Sequence, residues 1–96
     1  MKQQFLDEMY YWILKDYNEL NTKSLNEQQR KNVVSNILHH IQSVKDVMDA
    51  YRILNNQGIL SDKTYYKYQA MADDFFKRVC KIYVEVVELQ KELHSQ

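Results

Sequence analysis

A chain that contains no proline and a single glycine, Gly58, can reverse direction only once or twice. Sheets need frequent turns, and turns need residues that tolerate positive φ or a locked φ. So few of them, spread over 96 residues, predict an all-α protein with long helices. The apolar fraction of 45% and charged fraction of 27% are those of a globular chain rather than a disordered one. Ninety-six residues suit one helical domain with a modest core, for which burial against a second chain would add stability.

The apolar pattern resolves into three helices, at about 3–20, 25–57 and 61–94. In the first, Leu6, Tyr10, Ile13, Tyr17 and Leu20 recur at spacings of four and three, with Phe5, Met9 and Trp12 widening the stripe. Trp12 is expected to anchor this helix to the rest. The polar run Asn21–Ser24 ends it. Ser24 and Glu27 have capping-box spacing and place the next helix start at Ser24. Val34, Ile37, Ile41, Val44, Met48 and Tyr51 then alternate by three and four until Asn55-Asn56-Gln57-Gly58. Gly58 sits where a helix closes through a residue of positive φ, which puts Ile59 where it can pack back on Leu54.

The third helix begins at Ser61 or Asp62, with Leu60 and Tyr65 spaced as a hydrophobic staple. Its seam is Tyr65, Tyr68, Ala72, Phe75, Val79, Ile82, Val86, Leu89 and Leu93, a heptad pattern sustained over the whole helix. Asp73 with Lys77 and Asp74 with Arg78 have ion-pair spacing on the outer surface, each worth about 0.2–0.5 kcal/mol. The short connection at 58–60 forces the two long helices to run antiparallel, crossing at about 20°. The resulting architecture is a short N-terminal helix on a long antiparallel helical hairpin: a three-helix bundle with coiled-coil-like packing.

A tight turn at 21–24 would lay the first helix along residues 25–44 and the C-terminal half of the third. The hairpin from about 45 to 75 would then stay uncovered. Met48, Tyr51, Ile53, Ile59, Tyr65, Tyr66, Tyr68 and Met71 lie in that stretch, and Tyr65, Tyr66 and Tyr68 cannot share one face of a helix. Tyrosine and methionine offer large, adaptable contact area, so Met48, Tyr51, Ile59, Tyr65, Tyr66, Tyr68 and Met71 are the expected partner-binding residues. The partner is expected to be a protein, with a homodimer as one form of that association.

Chemistry has little support in the sequence. His39 and His40 are adjacent and point about 100° apart, with no Glu-x-x-His pattern near them, so no metal is expected. Cys80 reads as a small buried hydrophobe beside the seam, without an activating base. A lone cysteine forms no intrachain disulfide. The acids Asp73–Asp74 and Glu85–Glu88 read as a solvated helix face, because acid–base catalysis requires a cleft that shifts their pKa. One glycine excludes a glycine-rich phosphate loop. The chain is therefore expected to be no enzyme and to need no cofactor.

Thirteen basic and thirteen acidic residues cancel, and no third of the chain is polarised. Arg30, Lys31, Lys45 and Arg52 could line part of the second helix, but interleaved acids weaken their field, and the helices are too long for a helix-turn-helix. A nucleic-acid-binding regulator is thus the second expectation, behind a small protein-binding regulator or inhibitor. An immunity-type protein of a bacterial or phage system is a variant of the first. The N-terminal apolar run is broken by Asp7, Glu8 and Lys15, which argues against a secretory leader or membrane span and for a cytoplasmic setting. The bias toward Asn, Gln, Lys and Tyr suits an AT-rich bacterial or phage genome.

Overall fold

A computed structural model of the protein describes residues 1–95. It contains α1 (Gln3–Thr22), α2 (Glu27–Asn56) and α3 (Asp62–His94), with no strand among the described residues. Helices of 30 and 33 residues, at about 1.5 Å per residue, account for the longest dimension of 49 Å. The molecule is a three-helix bundle in which α1 packs mainly on α2 and more lightly on α3.

The start of α2 corrects the sequence reading. Asn26, not Ser24, caps the helix: its side-chain oxygen accepts the Gln29 N–H at 2.8 Å, and the Gln29 side chain accepts the Asn26 N–H at 2.9 Å. Two overlapping i, i+3 patterns compete here, and either satisfies the rule for a capping box. The connection decides between them. α1 continues to Thr22 and Lys23 is extended, so residues 23–26 are all used in reversing the chain.

At the other end of the hairpin, Gly58 adopts φ +75°, where a Cβ would be strained. The Ile59 N–H donates to the Leu54 carbonyl and the Gly58 N–H to that of Asn55, both at 3.0 Å, closing a Schellman turn. The expected apolar closure is missing, because Ile59 is 70% exposed. The side-chain amide of Asn55 instead ties the turn together, donating to the Leu60 carbonyl at 3.1 Å and to Asp62 at 2.8 Å. Ser61 caps α3 by accepting the Thr64 N–H.

The core follows the three seams. Leu6 and Ile13 of α1 meet Val34, Ile37, Ile41 and Val44 of α2 and Ala72, Phe75, Val79, Ile82, Val86 and Leu93 of α3. Burying each large aliphatic or aromatic side chain is worth about 1.5–3 kcal/mol. Every fully buried residue lies within 6–44 or 72–93, and none lies in the hairpin end between them. α1 runs parallel to α3. Its first turns lie beside Met71, Phe75 and Arg78, and Tyr17 near its end donates a hydrogen bond to Glu85. It therefore reaches further toward the hairpin end than expected, and Met48 and Met71 pack against the core rather than standing open.

Candidate interaction surfaces

Three apolar surfaces remain exposed, each fixed by a different local arrangement. The first is the hairpin end. Ile53 is 51%, Ile59 70% and Tyr66 63% exposed, within a few residues of the closed turn. Tyr51 of α2 and Tyr68 of α3 face each other across the hairpin, with ring centroids 4.8 Å apart, and are half-buried. Tyr65 lies 5.8 Å from Tyr66 by the same measure. The structure thus gathers Ile59, Tyr65 and Tyr66 near open surface, turns Tyr51 and Tyr68 toward one another, and draws Met48 and Met71 inward.

The second surface is a groove between α2 and α3. Leu38, Ile41 and Lys45 form one wall; Phe76, Val79, Cys80, Tyr83 and Val87 form the other. Two open depressions lie along it, of about 200 and 280 Å³. No α1 residue lines either. On α3, Cys80, Tyr83 and Val87 lie roughly half a helical turn away from Arg78 and Glu85, which flank α1, so the groove is on the face away from α1. The Lys45 ammonium sits 4.8 Å from the Tyr83 ring centroid, which places a cation over an aromatic face at the groove wall. Cys80 is exposed here, not buried as the sequence suggested. It lies one residue beyond the seam residue Val79, and that rotation of about 100° carries its thiol out of the core.

The third surface is the outer side of α1. Tyr11 and Trp12 pack edge to face at 5.4 Å, with the Lys15 ammonium 5.0 Å from the Trp12 ring. Trp12 is 42% exposed, so the anchoring role expected of it falls to Leu6 and Ile13. Trp12 lies on the flank of the α1 stripe, at the edge of the apolar arc, where a large ring still covers area without being enclosed.

The polar groups between the helices are few. Asp16 faces His40 at 3.9 Å. Burial raises the Asp16 carboxyl above its ordinary range, and the His40 ring pulls it partly back. The Tyr17 phenol is raised chiefly because it donates its proton to Glu85. His39 is exposed, and among the described residues no three His, Cys, Asp or Glu side chains converge as a metal site would require. Three of the four α2 cations are engaged locally, Lys31 with Glu27, Arg52 with Asp49 and Lys45 over Tyr83, and only Arg30 makes no such contact among the described residues. On α3, Asp74 pairs with Arg78 at 3.3 Å, whereas the expected Asp73–Lys77 pair does not form. No described helix is long and apolar enough to cross a membrane.

The sequence reading overlooked the groove. Its signal was present: Phe76, Cys80, Tyr83 and Val87 repeat the spacing of the seam one residue beyond Phe75, Val79, Ile82 and Val86. A helix with two apolar stripes offers two faces for packing, and only one is used within the chain. No protein-family description, curated protein or solved structure matches this sequence.

Proposed function

We propose that the chain is a non-catalytic helical interaction module, a small regulator or inhibitor that seats its bare hairpin end on a larger protein. The observation that supports this reading is the exposure of Ile53, Ile59 and Tyr66 around a turn that is already locked. Gly58 closes the backbone, and Asn55 clamps Leu60 and Asp62. A rigid apolar knob loses little conformational freedom when it is covered, so more of the burial energy appears as affinity. Large apolar side chains held open at one end of a small protein are the usual mark of a protein-binding surface.

The test is a comparison of the proteins retained from extracts of the source cells by the wild-type chain and by an Ile59→Glu, Tyr66→Glu variant. Both side chains are exposed, so helicity by circular dichroism should not change. The reading expects a partner present in stoichiometric amount with the wild type and absent with the variant. A retained set that ignores both substitutions would contradict it.

A further inference from the structure

The outer face of α3 carries a second heptad stripe, Asp73, Lys77, Cys80, Val84, Val87 and Lys91. All but the half-buried Val87 are exposed, and Val84 is 55% accessible. Cys80 and Val87 of this stripe form the rim of the α2–α3 groove, and Asp73 and Lys77 line a shallow depression on α3 alone. From the geometry we infer that a second copy of the chain packs on this stripe, beside the rim of the groove, its α3 lying antiparallel to α3 of the first.

The order of residue types argues for self-pairing and fixes its direction. Antiparallel alignment about a two-fold axis near Ile82 sets Asp73 opposite Lys91 of the second copy, Lys77 opposite Val87, and Cys80 opposite Val84. Symmetry repeats each layer, so acid meets base at both ends and apolar groups meet in the middle. Lys77 lays its methylene stem over Val87 and reaches Glu88 of the second copy with its ammonium. A parallel alignment would instead set Asp73 on Asp73, Lys77 on Lys77 and Lys91 on Lys91, three like-charge layers of six. Within its own chain Asp73 has no ion-pair partner among the described residues, and Lys91 makes only a long contact of 3.7 Å with exposed Glu88.

The extent also suits a dimer. The stripe spans eighteen steps, or about 27 Å of helix. With the groove rim of Leu38 and Tyr83, an interface of this length and about two helix diameters in width covers on the order of 1,000 Å² in total. That is the lower bound for a specific association and places this one in the weak, reversible class. The product is a pair of bundles joined through α3, with α1 of each copy away from the contact. Isologous pairing of this kind closes on itself and builds no filament. The hairpin end lies beyond the paired residues, so Ile59 and Tyr66 stay open in the dimer.

Sedimentation equilibrium over micromolar to millimolar concentration tests this inference independently of any other partner. The wild-type chain should move from 11.7 kDa toward twice that mass. Val84→Asp should weaken the association at least tenfold with helicity unchanged. Asp73→Lys and Lys91→Asp should each weaken it several-fold, and the two together should restore it, because the exchange returns opposite charges to the same layer. Val84→Cys should give a covalent dimer under mild oxidation, since its thiol would face Cys80 of the second copy. The wild-type Cys80 pair, offset by four residues across the axis, should cross-link far more slowly. A monomer at every concentration, or a dimer indifferent to Val84→Asp and to the charge exchange, would overturn the inference. The Ile59→Glu, Tyr66→Glu variant should still dimerise, which separates this result from the fate of the hairpin-end proposal.

Discussion

The two faces of α3 share a rhythm and differ in fate. Ala72, Phe75, Val79, Ile82 and Val86 repeat by three and four and are buried; Asp73, Lys77, Cys80, Val84 and Val87 repeat the same way and stay largely open. Periodicity creates a face, but burial requires something to lie against it. α2 covers the inner face and α1 flanks one side of it, leaving the other side bare. The difference teaches that α1 assigns the roles. A short third helix can close only one side of a hairpin, and the stripe on the other side is then available to a different chain.

The sharpest way to break this comparison is to place the same charge on each face. Val79 is 1% exposed, so Val79→Asp buries a carboxylate without a partner and should remove more than about 3 kcal/mol, enough to abolish cooperative thermal unfolding. Val84→Asp should leave the unfolding of the dilute chain within about 0.5 kcal/mol of wild type. Equal damage from both would mean that the outer face is also needed for folding.

The turn that sets the hairpin register gives the next largest effect. Gly58 at φ +75° has open space around a built Cβ, so Gly58→Ala carries a conformational cost alone. The expected loss is about 1–2 kcal/mol. For a domain of this size, each kcal/mol corresponds to about 4–8 °C in Tm. An unchanged Tm would show that the turn is not held in the left-handed conformation.

At the opposite end, Asn26→Ala should cost about 1 kcal/mol by releasing the Gln29 N–H, while Ser24→Ala should cost almost nothing. Chemical denaturation of the two variants sharpens the correction to the start of α2. The reverse ranking would restore Ser24 as the cap.

The smallest effect concerns pH. Asp16 is raised by burial against α2, so it holds its proton more tightly in the folded than in the unfolded chain. Its favourable contribution is complete below its ordinary value of 3.8 and is lost as pH rises through the higher folded value. Asp16→Asn should flatten this part of the stability profile above pH 3.8, as measured by denaturation at a series of pH values. A steeper decline in the variant would contradict the burial account.

The helices, their order and most of the core were legible in the sequence, because each depends on spacing within one element. Val34, Ile37, Ile41 and Val44, and the α3 seam from Ala72 to Val86, lie buried where their period places them. The positive φ of Gly58 was legible for the same reason, since only one residue in the chain suits it. What escaped depends on how elements meet. Trp12 looks like an anchor by size, yet it lies at the edge of the α1 arc and stays 42% exposed. Cys80 looks like core by type, yet a single step along the helix takes it to the opposite stripe. The clamp from Asn55 across the turn needs the folded turn to bring its partners within reach, and no local pattern announces it. The groove itself is a property of two helices and of a third that covers only one side.

The most direct test of the claim that α3 presents a second, partner-seeking face is a dilution series followed by backbone amide shifts in two-dimensional NMR. The account predicts that, as concentration falls, shifts move along residues 73–91 and around Leu38, Ile41 and Lys45, while Ile59, Tyr66, Tyr11 and Trp12 stay still. Spectra that are invariant over the whole range, or that change only at the hairpin end or on α1, would contradict it.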